Sequence, residues 1–235
     1  MPEALPSWVL EPLLPGDWFE VGGILQRDFF ARVSRLKSAN DQSMPLEQGR
    51  LEKVRFLELS FFKEWLLCEV QVNFEPGLKG LVSLLYGPHG LIVVNGKSQG
   101  IHTINRLSLK PLDAAGTGPA YLRFFCSAIR GEKGRFQIVE PESPFSFHPD
   151  SSESDCNEFR QRLEPVKVNT GMDSVLSVTA LSIYDGGLYR CKFEIQQNGT
   201  VMMLEDEELC KDIPLCSEEF QGPFRIWKKN ENSSK

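Results

Sequence analysis

The sequence predicts an α+β fold, in which a largely antiparallel β-sheet or meander carries one or two helices packed on one face. Apolar and polar residues alternate in segments of residues 53–104, 136–140 and 175–204, which is typical of strands with one buried face. Two other segments repeat apolar residues every three or four positions, which is typical of amphipathic helices. The chain of 235 residues is 41% hydrophobic and 25% charged, so a core can form without disulfides or metal.

Residues 1–18 are expected to form an extended N-terminal arm, because four prolines forbid a continuous helix there. Trp8 and Trp18 belong to this arm, and their large rings are expected to pin it to the surface of the domain. The rest of the chain is expected to be a single α+β domain over residues 19–228, followed by a polar tail over residues 229–235.

The first half of this domain reads as a helix, a loop and a β-meander. Helical spacing runs from Ile24 to Leu36, and residues 38–50 have the composition of a loop. Strand patterns then occupy residues 53–94, with a turn at Lys63-Glu64 and a break at residues 75–77.

The second half begins with a predicted helix that starts near Thr117-Gly118-Pro119, where proline fits the first turn. A strand over residues 122–129 is the competing assignment, because aromatic residues also suit sheets. Phe136–Val139 reads as a strand. Residues 141–164 are rich in proline, serine and acid, and they predict a long loop or a subdomain boundary.

Three further strands are predicted at residues 175–184, 188–195 and 201–204, joined by glycine-containing hairpin turns. A Leu-Ser-apolar-aromatic strand followed by a cysteine-bearing strand occurs twice, from Leu59 and again from Leu181. Both a duplication and convergent hairpin patterning would produce this similarity.

The segment from Gly87 to Asn105 holds the strongest catalytic motif, because Gly96–Gly100 spells G-x-S-x-G around Ser98. This is the nucleophile-elbow pattern of serine hydrolases, which requires a strand, a sharp turn and a helix. No convincing helix follows Gly100, where β-branched and polar residues dominate, so we predict a hairpin turned at Asn95-Gly96.

A hydrolase built on this motif would use Ser98 as nucleophile with His102 or His148 as the base. Asp113 or Glu140 would supply the carboxylate. This arrangement would compress the second half of a hydrolase fold into a short stretch, and a glycine-serine pattern occurs often in ordinary turns.

Other chemical sites find less support in the sequence. The Gly96-Lys97-Ser98 run does not complete a phosphate-binding loop, because strand-forming residues fill the space after Gly90. The three histidines lie far apart, and Glu205–Glu208 lacks the alternating ligands of a calcium loop and reads as a solvated acidic turn. No metal site and no cofactor are therefore predicted.

The net charge of −6 argues against a nucleic-acid partner, although residues 27–55 hold more basic than acidic side chains. The sequence also shows no signal peptide and no membrane span, so we expect no membrane partner and a protein of the reducing cytoplasm, with free thiols.

Two functions remain after these exclusions. We favour a non-enzymatic binding or interaction module, with a protein partner or self-association, because no acid–base or metal constellation survives and the aromatic content is high. The alternative is a hydrolase with a site assembled around Ser98, His102 and His148.

Overall fold

A computed structural model describes residues 8–39, 49–75, 78–171 and 174–227 of the protein. In these ranges the helices are α1 (Gly23–Ala39), α2 (Gln99–Ser108), α3 (Thr117–Ala128) and α4 (Glu153–Gln161). The strands there, in chain order, are β1 (Phe19–Glu20), β2 (Arg50–Glu58), β3 (Leu66–Glu75), β4 (Leu78–Gly87), β5 (Gly90–Val93), β6 (Arg130–Gly131), β7 (Gly134–Arg135), β8 (Gln137–Val139), β9 (Lys167–Thr170), β10 (Leu176–Tyr184), β11 (Gly187–Ile195), β12 (Val201–Cys210), β13 (Glu218–Gln221) and β14 (Phe224–Trp227).

The strands form two main antiparallel sheets, which confirms the predicted fold class but divides the one sheet that we expected into two. The first sheet runs in the order β1-β2-β3-β4-β14-β13, and β5 also pairs with β4. The second runs β12-β11-β10-β8, and β9 also pairs with β10. Strands β6 and β7 make a separate short ribbon. The meander of the first half and the hairpins predicted over residues 175–204 therefore belong to different sheets.

Helix α3 occupies the core between the two sheets. Its buried residues lie on nearly every side of the helix, and they include Tyr121, Leu122 and Phe125. The same apolar cluster contains residues of both sheets, among them Leu67 and Val178. A helix that is apolar all round is stable only when it is enclosed. The helix prediction for this segment is therefore confirmed, and the competing strand is wrong.

The other helices lie at different places around the sheets, so the expectation of one or two helices on one face was too simple. Phe29 and Val33 of α1 pack on the first sheet against Val54 and Phe56, on the face turned away from α3. Phe159 of α4 belongs to a third cluster on the second sheet. Each helix covers apolar strand residues that water would otherwise reach.

The described part of the N-terminal arm lies against the first sheet, as we predicted from its two tryptophans. The Arg55 guanidinium lies 4.1 Å from the centre of the Trp8 ring and 5.2 Å from that of Trp18. The Val9 backbone amide donates to the Gln71 side chain at 2.9 Å, and the Val9 carbonyl accepts from the Trp227 indole at 2.7 Å. The arm is therefore attached by side chains of the sheet and not by a strand ladder.

A row of buried charges lies beneath the arm. Glu69 accepts hydrogen bonds from Arg55 Nε and from Arg225 Nη2, each at 2.8 Å. Arg225 also bonds Glu218, which bonds Arg135 at 3.1 Å. The arm completes this row, because Arg225 donates to the Glu11 carbonyl at 2.7 Å. Three guanidinium groups and two carboxylates thus pair with one another where little water reaches them, although the buried Arg225 Nε has no hydrogen-bond partner among the described residues.

Several other predictions are confirmed by the structure only in part. The helix predicted from Ile24 is confirmed, whereas most of the loop predicted over residues 38–50 lies outside the described residues. The predicted loop over residues 141–164 contains α4, so it was wrong there. The helix begins at a capping box in which Ser152 Oγ accepts from the Asp155 amide and Asp155 accepts from the Ser152 amide. Serine and acid at that spacing are a helix start, although their composition resembles a loop.

The two segments with the Leu-Ser-apolar-aromatic pattern do not share one structure. The segment from Leu181 continues β10 to the hairpin turn, whereas the segment from Leu59 follows the end of β2 and is not a strand. In that segment Phe61 and Phe62 are buried against Tyr121 of α3, with Phe61 and Tyr121 ring centres 5.3 Å apart. The sequence similarity therefore marks two different local structures.

Candidate interaction site

The segment around Ser98 is a strand, a turn and a helix, so the hairpin predicted at Asn95-Gly96 is wrong. The turn itself forms, because Gly96 has a φ of 85° and the Asn95 side chain accepts from the Lys97 amide at 3.1 Å. The chain then enters α2, whose Ile101 and Ile104 are buried in the core. Their spacing of three places both on one helical face. Burial of that face prevails over the weak helix propensity of β-branched residues.

Ser98 and His102 lie one turn apart at the start of α2. Ser98 is the N-cap residue, with φ −74° and ψ −16°, and its carbonyl accepts from the His102 amide at 2.9 Å. The His102 ring lies 5.9 Å from the ring of Phe125. Among the described residues, no hydrogen bond joins the Ser98 hydroxyl to the His102 ring, and no carboxylate pairs with that ring. The relaxed backbone of Ser98 also differs from the strained turn of a nucleophile elbow.

His148 is positioned by a different part of the chain. Its amide donates to the Pro214 carbonyl at 2.9 Å, and its Nδ1 lies 3.6 Å from the Asp150 carboxylate. The carboxylates that were considered as partners have structural contacts of their own. Asp113 accepts from the Thr117 hydroxyl at 2.9 Å, and Glu140 pairs with Arg123. The catalytic role of Ser98, His102 and His148 stays a prediction.

A cleft of about 500 Å³ opens beside the arm, between residues 11–15 and the second sheet. Three cationic side chains line it, but each has an acidic partner. Arg123 pairs with Glu140, Lys133 with Asp185 and Arg135 with Glu218. Since these charges are neutralised within the chain, the cleft offers no evident anion site. The described residues also contain no group of three metal-ligating side chains.

Exposed apolar side chains point to a different kind of site. Seven large hydrophobic residues are exposed in the described part of the chain, and six of them lie in two short segments. Single exposed apolar residues are ordinary on a protein surface, whereas a concentration of them marks contact surfaces. The seventh, Leu107 on α2, stands outside both segments and is 62% exposed.

The first segment is on β12, and we call Met202–Glu208 the edge patch. Every residue from Met202 to Glu208 is exposed, and Met203 and Leu204 are 47% and 50% exposed. Strand β12 pairs only with β11 and forms an edge of the second sheet. Over Met202–Glu208 neither face of this strand is covered within the described chain, and the outer edge of the strand has no partner strand there. The acidic run Glu205–Glu208, predicted as a turn, is therefore the middle of an edge strand.

A bulge at Leu204 sets the directions of the side chains in the edge patch. Met203 pairs with the buried Phe193, and Asp206 pairs with the buried Cys191, so Leu204 is left without a partner. Directly paired residues share a face of a sheet. Met203 and Asp206 therefore lie on the face that carries the core. Burial, together with the nearby Asp206 carboxylate, raises the pKa of the Cys191 thiol to about 11, which agrees with this placement.

The other face of the edge patch carries ion pairs that cross to β11. Lys192 bonds Glu205 at 3.2 Å, and Arg190 bonds Glu207 at 2.9 Å. No basic side chain of the described residues forms an ion pair with Asp206. The edge patch thus combines an apolar half with an acidic half in which the negative charge is only partly balanced.

The second segment surrounds the start of α1, and we call Phe19, Ile24, Leu25, Arg27, Arg32 and Arg35 the helix patch. Ile24 and Leu25 are 66% and 64% exposed, and Phe19 stacks on Phe56 with ring centres 5.7 Å apart. The buried Phe29 and Val33 fix the orientation of α1 on the sheet. Helical geometry then directs Ile24, Arg27, Ala31 and Arg35 away from the sheet, and all four are exposed.

Sequence reasoning missed the two patches for a simple reason. Val201–Leu204 is an uninterrupted apolar run, from which we predicted a strand. Such a run does not show which neighbour covers it. The missing alternation was the signal, because a strand with one buried face would have polar residues at every second position.

Comparison with known proteins gave no relative: no family model, no curated protein and no solved structure matches this chain. None of the helices in the described ranges has the length and apolar content required to span a membrane. All six cysteines are free.

Proposed function

We propose that this protein is a non-enzymatic interaction module of the cytoplasm and that it contacts a protein partner through the edge patch. The observation that carries the proposal is the exposure of Met202, Met203 and Leu204 on an edge strand. Exposed strand edges recruit other chains, because their backbone amides and carbonyls lack a neighbouring strand. An exposed apolar group is also stabilised when a partner removes it from water.

The ordinary function of edge charges and bulges is to prevent aggregation, and this explanation fits Glu205–Glu208. It does not explain Met202–Leu204, where the same edge is apolar and uncharged. Protection of half of an edge leaves the other half available. The combination of a charged half and an apolar half on one strand edge favours selective binding over nonspecific association.

The proposal is tested with Met203→Ser and Leu204→Ser combined, which removes apolar surface without changing charge. We expect this variant to bind its partner more weakly by roughly 2 kcal/mol, more than tenfold, because two half-exposed side chains no longer become buried. The measurements are sedimentation of the purified protein and quantified recovery of bound proteins from native extract.

Leu107→Ser is the matched control, since Leu107 is more exposed than Met203 or Leu204 and lies outside both patches. It should behave like the unaltered protein. Equal recovery and equal sedimentation for the unaltered protein and the double variant would overturn the proposal. So would an effect of the Leu107 control as large as that of the double variant.

The hydrolase hypothesis has one specific observation in its favour, because β5 and α2 surround Ser98 with a strand–turn–helix context. Against it stand the relaxed backbone of Ser98 and the absence, among the described contacts, of a bond to His102. Turnover of esterase and phosphatase substrates that Ser98→Ala abolishes would establish it and reverse our preference.

A further inference from the structure

We infer that the partner of the edge patch is the helix patch of a second copy of this chain. The inference rests on the proposed function, since it names the occupant of the same surface. Together the two patches hold six of the seven exposed large hydrophobic residues of the described chain. Both patches are exposed within one molecule, so they do not cover each other there.

The charges of the two patches are opposite. The exposed side of α1 carries Arg27, Arg32 and Arg35 with a single acid, Asp28. This basic surface stands out on a chain whose net charge is −6. Of the four consecutive acids in the edge patch, Glu205, Glu207 and Glu208 pair with Lys192, Arg190 and Lys211. Asp206 has no ion pair with a basic residue in the described chain, so the unbalanced negative charge of the patch is at Asp206. Opposite potentials favour this pairing and steer its encounter.

The order and length of the two patches also correspond. Both begin with apolar residues and continue with charged ones in the direction of the chain. From Ile24 to Arg35 a helix rises about 16 Å. From Met203 to Glu208 a strand extends about 16 Å. A helix lying along the core-side face of β12 therefore places apolar residues on Met203 and cations near Asp206, which share that face.

A contact between two identical patches is less favourable. Two edge patches that meet around their acidic halves bring carboxylates together, and two helix patches bring guanidinium groups together. Like charges facing each other across an interface destabilise it. The contact is therefore head-to-tail, and each added copy leaves one patch of each kind free. Such association continues into a ring or a filament unless it closes.

The experiment uses two half-blocked variants of the full chain. The first carries Ile24→Asp with Arg27→Glu in the helix patch, and the second carries Met203→Lys with Asp206→Lys in the edge patch. By sedimentation, the unaltered protein should exceed a dimer as its concentration rises. Each variant alone should remain monomeric, with self-association weakened at least about tenfold. An equimolar mixture should form a discrete dimer, because one intact patch of each kind remains.

Thermal unfolding of each variant shows whether it is folded. Should a double variant fail to fold, the single changes Arg35→Glu and Met203→Ser replace it in the same mixing test. Leu107→Ser should assemble like the unaltered protein, and added salt should weaken assembly. A variant that still dimerises alone, or a mixture that remains monomeric, overturns the head-to-tail contact.

The outcomes separate this inference from the proposed function. If the unaltered protein remains monomeric while the Met203 and Leu204 change still releases a bound protein from extract, the inference is wrong and the proposed function stands. If the protein remains monomeric and that change releases nothing, both are wrong.

Discussion

Glu69 shows how single residues determine the structure of the first sheet. It lies on β3 with no exposed surface, and it bonds Arg55, Arg225 and the Leu13 amide of the arm. A carboxylate is strongly hydrated in water, so its burial is tolerable only with partners of this quality. The carboxylate therefore joins the sheet, the arm and β14 in one network.

Replacement of Glu69 by Gln should destabilise the protein by about 3–5 kcal/mol, because the buried Arg55 guanidinium then loses its counter-charge and Arg225 keeps only Glu218. Urea unfolding measures the change. The matched control is Glu207→Gln, which removes a carboxylate from the exposed pair with Arg190 and should leave the unfolding midpoint almost unchanged. Similar losses in the two variants would contradict the role that we assign to burial.

Among the elements, the helices α2, α3 and α4 differ in how far the sequence predicts them. The start of α3 was predictable, because Thr117-Gly118-Pro119 precedes an apolar helical pattern. The start of α4 was missed, because Ser152 and Asp155 contribute to the loop-like composition of residues 141–164. Their spacing, which is that of a capping box, was not considered. Helix α2 was missed because its residues have weak helix propensity, and only the tertiary burial of Ile101 and Ile104 decides its structure.

The capping box of α4 predicts a measurable effect. Ser152→Ala should reduce stability by about 0.5–2 kcal/mol, because the Asp155 amide loses its acceptor. Ser154→Ala changes the same residue type two positions later, inside the helix, where alanine is the better helix former. Urea unfolding midpoints of the two variants should therefore differ. Equal midpoints would show that the cap contributes nothing to the folded protein.

For the whole molecule, the division of the strands into two sheets could not be predicted from the sequence. Each hairpin was predictable from its alternation and its turn, but alternation does not show which hairpins become neighbours. Strand β14 illustrates the difficulty, since it pairs with β4 across more than half of the chain. The candidate interaction site could not be predicted for the same reason, because the exposure of Met202–Leu204 depends on what the rest of the chain leaves uncovered.

The buried charge row should make the stability of the whole protein depend on pH. Burial alone would raise the pKa of Glu218, but Arg135 and Arg225 outweigh it and lower that pKa below its usual value of 4.5. The unfolded chain therefore takes up a proton first as the pH falls. The stabilisation is present at neutral pH and is lost below about pH 4.5. Urea midpoints measured downward from neutral pH should fall less steeply for Glu218→Gln than for the unaltered protein, and equal slopes would contradict this.

The bond between Trp227 and Val9, with that between Arg225 and Glu11, has a consequence for synthesis on the ribosome. Glu69 and Arg55 are translated early, whereas Arg225 appears only after the second sheet has been made. Until then, the Glu69 carboxylate lacks one of its guanidinium partners and the arm lacks its last contacts. Contacts between such distant residues form slowly, because a long loop must close first. The first sheet therefore stays incomplete until β14 has been made, after every strand of the second sheet.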